Sequence, residues 1–337
     1  MSLRNRFVLI PIVLVLVLGT VGLLFYLNLQ GGYLGKFESI TIGNAQSFEC
    51  DTLVYIAQDQ DFFVQNGLNV SIMNYTSGMA AVNDLLKGSI DIAATAEFPL
   101  VRHALNGENI SALTCIGKFQ LQDLIGRKDR GIERVSDLRG KTIGVPLGTI
   151  SEFYIGRFLQ LNGMRLGDVT IVNVNAAESV ELVVNGTVDA LVIWQPYAYS
   201  AEELLGDNAS VFPVQSNQRL SILEVARNSW IAQNPDLVNR FVKSLAQAEE
   251  YYMGNSVQAT AMMQESLNYT DAYIAEIWDK NEYSLSLDQS LILALEEEAR
   301  WAINNNLTDE TRVPDFLSYV YIDSLKSIQP ESVNIIR

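Results

Sequence analysis

The sequence is poor in the residues that do metal and nucleophilic chemistry. His103 is the single histidine in 337 residues, and Cys50 and Cys115 are the only cysteines. One imidazole and no CxxC pair do not make a structural zinc site. No nucleophile stands at a telling spacing from a base, and no glycine-rich phosphate loop is present. We therefore assign no catalytic residue, no metal ligand and no cofactor. His103 itself reads as a helix-surface residue near a C-terminus. Basic residues are scarce too: 23 Lys and Arg face 39 Asp and Glu, a net charge of −16. A chain this acidic has no basic face with which to displace counterions from nucleic acid, and the excess reads as a solubilising surface.

Charge is missing altogether from Phe7 to Leu27, a run dominated by Val, Leu and Ile. Its length spans a bilayer. Arg4 and Arg6 precede it, which keeps the N-terminus in the cytoplasm and exports the remainder. A signal peptide has a shorter apolar run, and no Cys follows to carry a lipid. We expect a retained single-pass anchor in the cell membrane, with the remainder extracytoplasmic. Asn-x-Ser/Thr acceptors at Asn69, Asn74, Asn109, Asn185, Asn208, Asn268 and Asn306 exceed the roughly three that chance would give. They point to glycosylation outside the membrane. Two exported cysteines can pair, but their spacing does not decide it.

What is plentiful is apolar residues, 48% of the chain, enough for about two domains of ordinary size. Short apolar runs alternate with amphipathic stretches. FESITIGNA, GLNVSIMNY and IDIAATA read as strands; Ser47 to Phe63 and Met79 to Leu86 read as helices. This alternation predicts an α/β lobe with a largely parallel sheet. It then recurs: KTIGVPLG, VTIVNVN and VDALVIW read as strands, and Ser151 to Asn162 and Ala177 to Val184 as helices. LLKGSIDIAATAEFP and LVVNGTVDALVIWQP share a plan in which a helix-ending Gly (Gly88, Gly186) is followed three residues later by Asp (Asp91, Asp189) and an apolar strand. Two similar lobes follow. The tail reads as helical, starting at Asn234-Pro235-Asp236, with an Asn cap and Pro in the first turn. Further helices are expected over about Asp271 to Lys280, Leu287 to Asn304 and Pro314 to Lys326.

VSDLRGKTIGVPLGT, GSIDIAATAEFPLVRHALNG, the segment from LNGMRLGDVTIVNVN to LVIWQPY, and NPDLVNRFVKSLAQAEEYY together resemble the nitrate, sulfonate, taurine and thiamine-precursor binding proteins of ABC transporters. The resemblance covers roughly Glu38 to Ile328. It implies a two-lobed α/β fold of the type II periplasmic-binding-protein kind, here behind an N-terminal transmembrane helix. It also implies a monomer that captures a small molecule by hinge closure and passes it to an ABC permease and its ATPase. The expected organisation is 1–35 for cytoplasmic tip, anchor and linker, 36–122 for the first part of lobe 1, 123–222 for lobe 2, and 223–337 for the return crossing and the helices completing lobe 1. The first crossing is expected near Phe119 to Leu124 and the second near Ser221 to Ser229. A membrane-anchored ligand sensor and a pyrimidine-forming enzyme of the same fold are the alternatives.

In open α/β sheets ligands sit beyond the carboxyl ends of the strands. That rule selects Ser47, Phe48 and Glu49 after the first strand, Ser77 and Gly78 before the second helix, and Glu97 and Phe98 after the third strand. In the second lobe it selects Thr149 and Ser151, Asn175, then Trp194, Gln195 and Tyr197. Glu224 joins them on the return crossing. Thr149 with Glu152 and Asn175 with Glu178 also fit capping boxes. Glu97 and Glu224 would suit a ligand with donors, such as an amine, amidine or aminopyrimidine. The helix start at Thr149 would suit an anion, and a zwitterion would use both.

Overall fold

The computed structural model describes residue 33 and residues 35–45, 48–216, 218–267 and 269–336. The apolar run expected to cross a membrane lies outside these residues, as do Ser47 and Asn268. Among the described residues no helix is long and apolar enough to span a bilayer.

Two five-stranded sheets form two lobes. The first holds β1 (Glu38–Ala45), β2 (Leu68–Tyr75), β3 (Ile92–Ala96), β4 (Ile110–Phe119) and, returning from the second lobe, β10 (Leu220–Arg227), in the order β2-β1-β3-β10-β4. The second holds β5 (Gln122–Arg127), β6 (Thr142–Val145), β7 (Thr170–Asn173), β8 (Ala190–Trp194) and β9 (Ala209–Pro213), in the order β7-β6-β8-β5-β9. β1, β2 and β3 run parallel, as do β6, β7 and β8; β10 and β5 are each antiparallel to their neighbours. The two-lobed α/β architecture expected from the alternating pattern is present.

The internal repeat has a physical cause. Gly88 and Gly186 both sit at positive φ, +81° and +80°, where a side chain would be strained. Three residues on, Asp91 Oδ2 accepts the Thr41 amide of β1 at 2.9 Å, and Asp189 Oδ2 accepts the Thr142 amide of β6 at 2.9 Å. In each lobe the same carboxylate therefore ties the third strand's entry to the first strand.

The first crossing runs between Phe119 and Gln122, within the expected range. The second runs between Pro213 and Leu220, ahead of its expected place, because Ser221 onward is already β10 in the first sheet. Gln215 joins the two crossings. Its Oε1 accepts the amides of Leu121 and Gln122 at 2.6 and 2.8 Å, and its Nε2 donates to Phe119 O at 3.0 Å.

Several helices are shorter than their apolar patterns suggested. The segment expected as one helix from Ser47 is a 3-10 turn, Phe48–Asp51, then Thr52–Asp59 and Phe62–Gln65, interrupted where Asp61 adopts φ 58°. Pro314 to Lys326 breaks into a 3-10 turn, Phe316–Tyr319, and a helix, Asp323–Ile328. The long helix Pro235–Gly254 starts on its proline as expected, but the Asn234 side chain donates back to Trp230 O instead of capping it. His103 is buried in the last turn of the helix Glu97–Leu105, not on its surface. Cys50 and Cys115 are buried thiols and form no disulfide.

We expect Asp91→Ala and Asp189→Ala each to lower stability by about 1.5–3 kcal/mol, the range for hydrogen bonds to charged groups. Urea unfolding of both variants checks this, and a loss in only one would break the equivalence of the lobes.

Candidate functional site

The strand tips of the two lobes flank a cavity of about 50 Å³, room for a few water-sized groups. The first lobe contributes Cys50 and Asp51 from the turn after β1, Ser77, Gly78 and Met79 at the start of the helix Gly78–Lys87, and Ala94 to Ala96 of β3 with Pro99. β10 supplies Leu220 and Ile222. The second lobe contributes Thr149 and Ile150 at the start of the helix Ile150–Leu161, and Trp194 at the end of β8; Leu121 and Gln122 come from the first crossing.

Four of the residues expected from the sequence meet here: Ser77, Gly78, Thr149 and Trp194. Ser77 caps its helix by accepting the Ala80 amide at 3.2 Å. Gly78 is required by close approach, since a Cβ there would lie 2.8 Å from Thr95 Cα. Thr149 accepts the Ser151 amide at 3.3 Å and caps its helix as expected, but Glu152 Oε2 accepts the Gly148 amide at 2.7 Å instead of the Thr149 amide, so the expected reciprocal box does not form. Trp194 is 7% exposed and meets the Tyr197 ring edge-on at 6.2 Å.

The other expected residues stand back from the cavity wall. Ser151 Oγ donates to Gln122 Oε1 at 2.7 Å and so orients a wall residue. Gln195 donates to Asp123 at 3.2 Å and accepts the Tyr199 amide at 3.0 Å. Asn175 caps its own helix through the Ala177 amide and lines a neighbouring depression that shares Ser77, Met79 and Thr149 with the cavity. Glu97 is buried, and its Oε1 accepts the Ser221 amide at the start of β10. Phe98 packs between Phe153 and Trp301, where the lobes touch. Phe48 sits in the 3-10 turn that leads to Asp51. Glu49 is held by two phenols: Tyr273 Oη donates to Oε1 at 2.8 Å and Tyr269 Oη to Oε2 at 3.0 Å.

The residues that sequence reasoning missed are Asp51, Thr95, Met79 and Gln122. Asp51 lay one turn past the strand tip, within a stretch that reads as ordinary helix start. Met79 reads only as the first residue of a helix, yet it meets the second lobe: a Cβ added at Gly148 would lie 3.2 Å from Met79 Cε.

With this geometry in hand, the chain can be compared with known proteins. Residues 51–259 match the family described as NMT1/THI5 like. The chain belongs to the NMT1/THI5-like family. A Brucella abortus protein named as a binding protein is 25% identical over 256 residues, covering 74% of this chain and 78% of its own. The taurine-binding periplasmic protein of Escherichia coli is 25% identical over 200 residues, 58% of this chain and 62% of its own. The alkanesulfonate-binding protein SsuA of Xanthomonas axonopodis pv. citri, bound to MOPS, shares the fold: TM-score 0.73 at 16% identity, over 85% of this chain and 99% of that one.

In this NMT1/THI5-like chain the electrostatics of the site are acidic. Among the described residues Asp51 is the one acidic side chain in the cavity wall, and no basic one lines it. Burial raises its pKa well above the usual range, and the neighbouring Glu224 and Glu49 raise it further. Glu224 is fully buried on β10, and burial pushes its pKa up to about 8. Burial also raises Glu49, partly offset by the bonds from Tyr273 and Tyr269. Glu97 is pushed up to about 7 by burial against the Ser221 amide bond. Carboxyls whose charged form is this costly hold protons near neutrality, or meet a compensating charge.

Linkage gives the sign of the pH dependence. Between about 4.5, the ordinary value for Glu, and about 8, folded Glu224 holds a proton that the unfolded chain has lost. Stability therefore falls as pH rises through that window, by at most about 1.4 kcal/mol per pH unit from this group. We expect Glu224→Gln to lose that part of the slope and to exceed the parent in stability near pH 8. Urea unfolding at about pH 5.5 and 8 checks it; identical pH slopes in parent and variant would refute the buried-acid assignment.

Proposed function

We propose that the chain is the extracytoplasmic solute-binding component of an ABC importer. It captures a small nitrogen- or sulfur-containing solute by hinge closure and presents it to a permease and its ATPase. The carrying observation is the cavity whose walls come from the strand tips of both lobes and from the crossing that joins them. A site divided in this way is completed only when the lobes meet, so a solute that touches both walls favours the closed arrangement. Family membership and the names of the relatives support the same reading. Micromolar capture requires about −8 kcal/mol. The Trp194 ring, the apolar wall and a few buried polar contacts are of the right kind to supply it.

In this proposal Phe7–Leu27 is retained as a single-pass anchor, which raises the effective concentration of a monomeric binding domain at its permease. The six acceptor asparagines among the described residues, Asn69, Asn74, Asn109, Asn185, Asn208 and Asn306, are all exposed, as glycosylation outside the cell requires. The protein acts by binding and release without turnover. Among the described residues the cavity wall presents Asp51 and the hydroxyls of Ser77, Thr95 and Thr149.

Native mass spectrometry of the full-length chain in mild detergent should reveal a co-purified small solute whose mass does not change on incubation. A chemically altered solute would point to an enzyme, and co-purification with a signalling partner instead of a permease would point to a sensor. A true solute at about 100 times its dissociation constant should add about 2.7 kcal/mol of stability. Trp194→Ala should weaken its binding by about tenfold, on the scale of an aromatic contact, with the circular dichroism unchanged. Equal affinity in parent and variant would remove Trp194 from the site.

A further inference from the structure

Building on the solute-binding reading, we propose that the cavity selects its solute through a protonated nitrogen, an amine or amidinium group, seated against Asp51 with Glu224 behind it. Among the described residues the cavity wall carries no lysine or arginine, and its one acidic side chain is Asp51. Asp51 occupies the position before the helix Thr52–Asp59, where an aspartate ordinarily caps the first turn. Here it makes no side-chain cap bond. It is 1% exposed, and Oδ2 has no hydrogen-bond partner. Thr95, also 1% exposed and on the wall, has an unpartnered Oγ1.

Glu224 is near enough for its charge to act on Asp51. In the antiparallel pairing of β10 with β3, Ile222 stands opposite Ala96 and Glu224 opposite Ala94. Residues two apart share a sheet face, so Glu224 projects on the same face as Ile222, Ala94 and Ala96, which line the cavity. Both of its carboxyl oxygens are buried without partners, and the Thr114 hydroxyl opposite it on β4 is engaged with Cys115 O. Glu49, the third acid of the group, is already satisfied by Tyr269 and Tyr273.

Three of the amides at the two helix starts are taken up within the protein. At the second-lobe helix start the Ser151 amide goes to Thr149 Oγ1 and the Gly148 amide to Glu152. At the first-lobe helix start the Ala80 amide goes to Ser77. Buried acceptors without donors, Asp51 Oδ2 and both carboxyl oxygens of Glu224, suit a ligand that brings N–H groups and positive charge.

The test is calorimetric titration of the full-length protein with four probes of similar size: ethylammonium, acetamidinium, taurine and ethanesulfonate. Binding of one or more nitrogen-bearing probes, at least about tenfold tighter than ethanesulfonate, supports the proposal. So does a loss of at least about tenfold for that probe in Asp51→Asn, a difference of about 1.4 kcal/mol. Ethanesulfonate binding as tightly as taurine and ethylammonium would overturn it, as would Asp51→Asn binding the amine at parental affinity. Either result leaves the solute-binding reading standing. If Asp51→Asn does not fold, the parental panel decides alone. If no probe binds, the co-purified solute decides: one with a basic nitrogen supports the proposal, and one without it overturns it. No probe bound and no solute released on denaturation overturns both readings together.

Discussion

The antiparallel return of β10 between β3 and β4 is the constraint on which the site depends. A strand that re-enters the first sheet after the second lobe has formed must cross the gap between them, and a second connection beside the first makes a hinge. The same strand sets the floor of the cavity. Leu220 and Ile222 line it, the Ser221 amide takes up Glu97, and the register with Ala94 brings Glu224 beneath the wall near Asp51. Gln215, just before β10, then receives the amides of Leu121 and Gln122, so one buried amide side chain fixes the spacing of both crossings. Loss of that side chain would leave two buried backbone donors unsatisfied, which is costly.

The lobes are in contact, and the contacts lie on both sides of the cavity. Phe98 and Trp301 of the first lobe meet Phe153 of the second at 6.1 and 5.5 Å between ring centres. Any side chain at Gly156 would run into the Trp301 indole. Met79 faces Gly148 at another edge, and Tyr199 of the second lobe meets Tyr273 at 5.1 Å. Tyr273 also holds Glu49, so one residue bridges the turn that carries Asp51 and the opposite lobe. Opening would expose these aromatic surfaces to water, an unfavourable term. It would also hydrate the buried acids, a favourable one. The balance between open and closed therefore rests on groups of opposite preference in the same interface.

What was legible in the sequence follows from the range of the interactions. The helix–Gly–strand joins, the Asp that follows each, the Thr149 and Asn175 caps and the Pro235 helix start are set by residues a few positions apart, and all appear in the fold. Trp194 was recoverable because strand-tip position follows from strand order. Glu97 occupied the same kind of tip, yet its partner is the amide of Ser221, 124 residues away. No local pattern encodes that pairing. Asp51 failed for the opposite reason: its local role, the helix cap, is so common that nothing in the sequence signals that the structure leaves it unused. The β4, β5 and β9 pairings and the Tyr269–Glu49–Tyr273 set are likewise long-range, and the broken helix after Ser47 turns on one residue at positive φ, Asp61.

These pieces make the charge of the site a property of closure and not only of composition. With the lobes apart, water can reach Asp51 in the cavity wall, and its ionisation beside Glu224 costs less. With the lobes together, both sit in a medium of low polarity beside each other, and the ionised pair is penalised by desolvation and by mutual repulsion. Protonation relieves the penalty without a ligand. A bound cation relieves it while also gaining Coulomb energy from both carboxylates, whereas a bound anion adds to it. The differential affinity that any ligand needs in order to shift a two-state equilibrium is thus built into two side chains on different elements. The return of β10 brings those elements together.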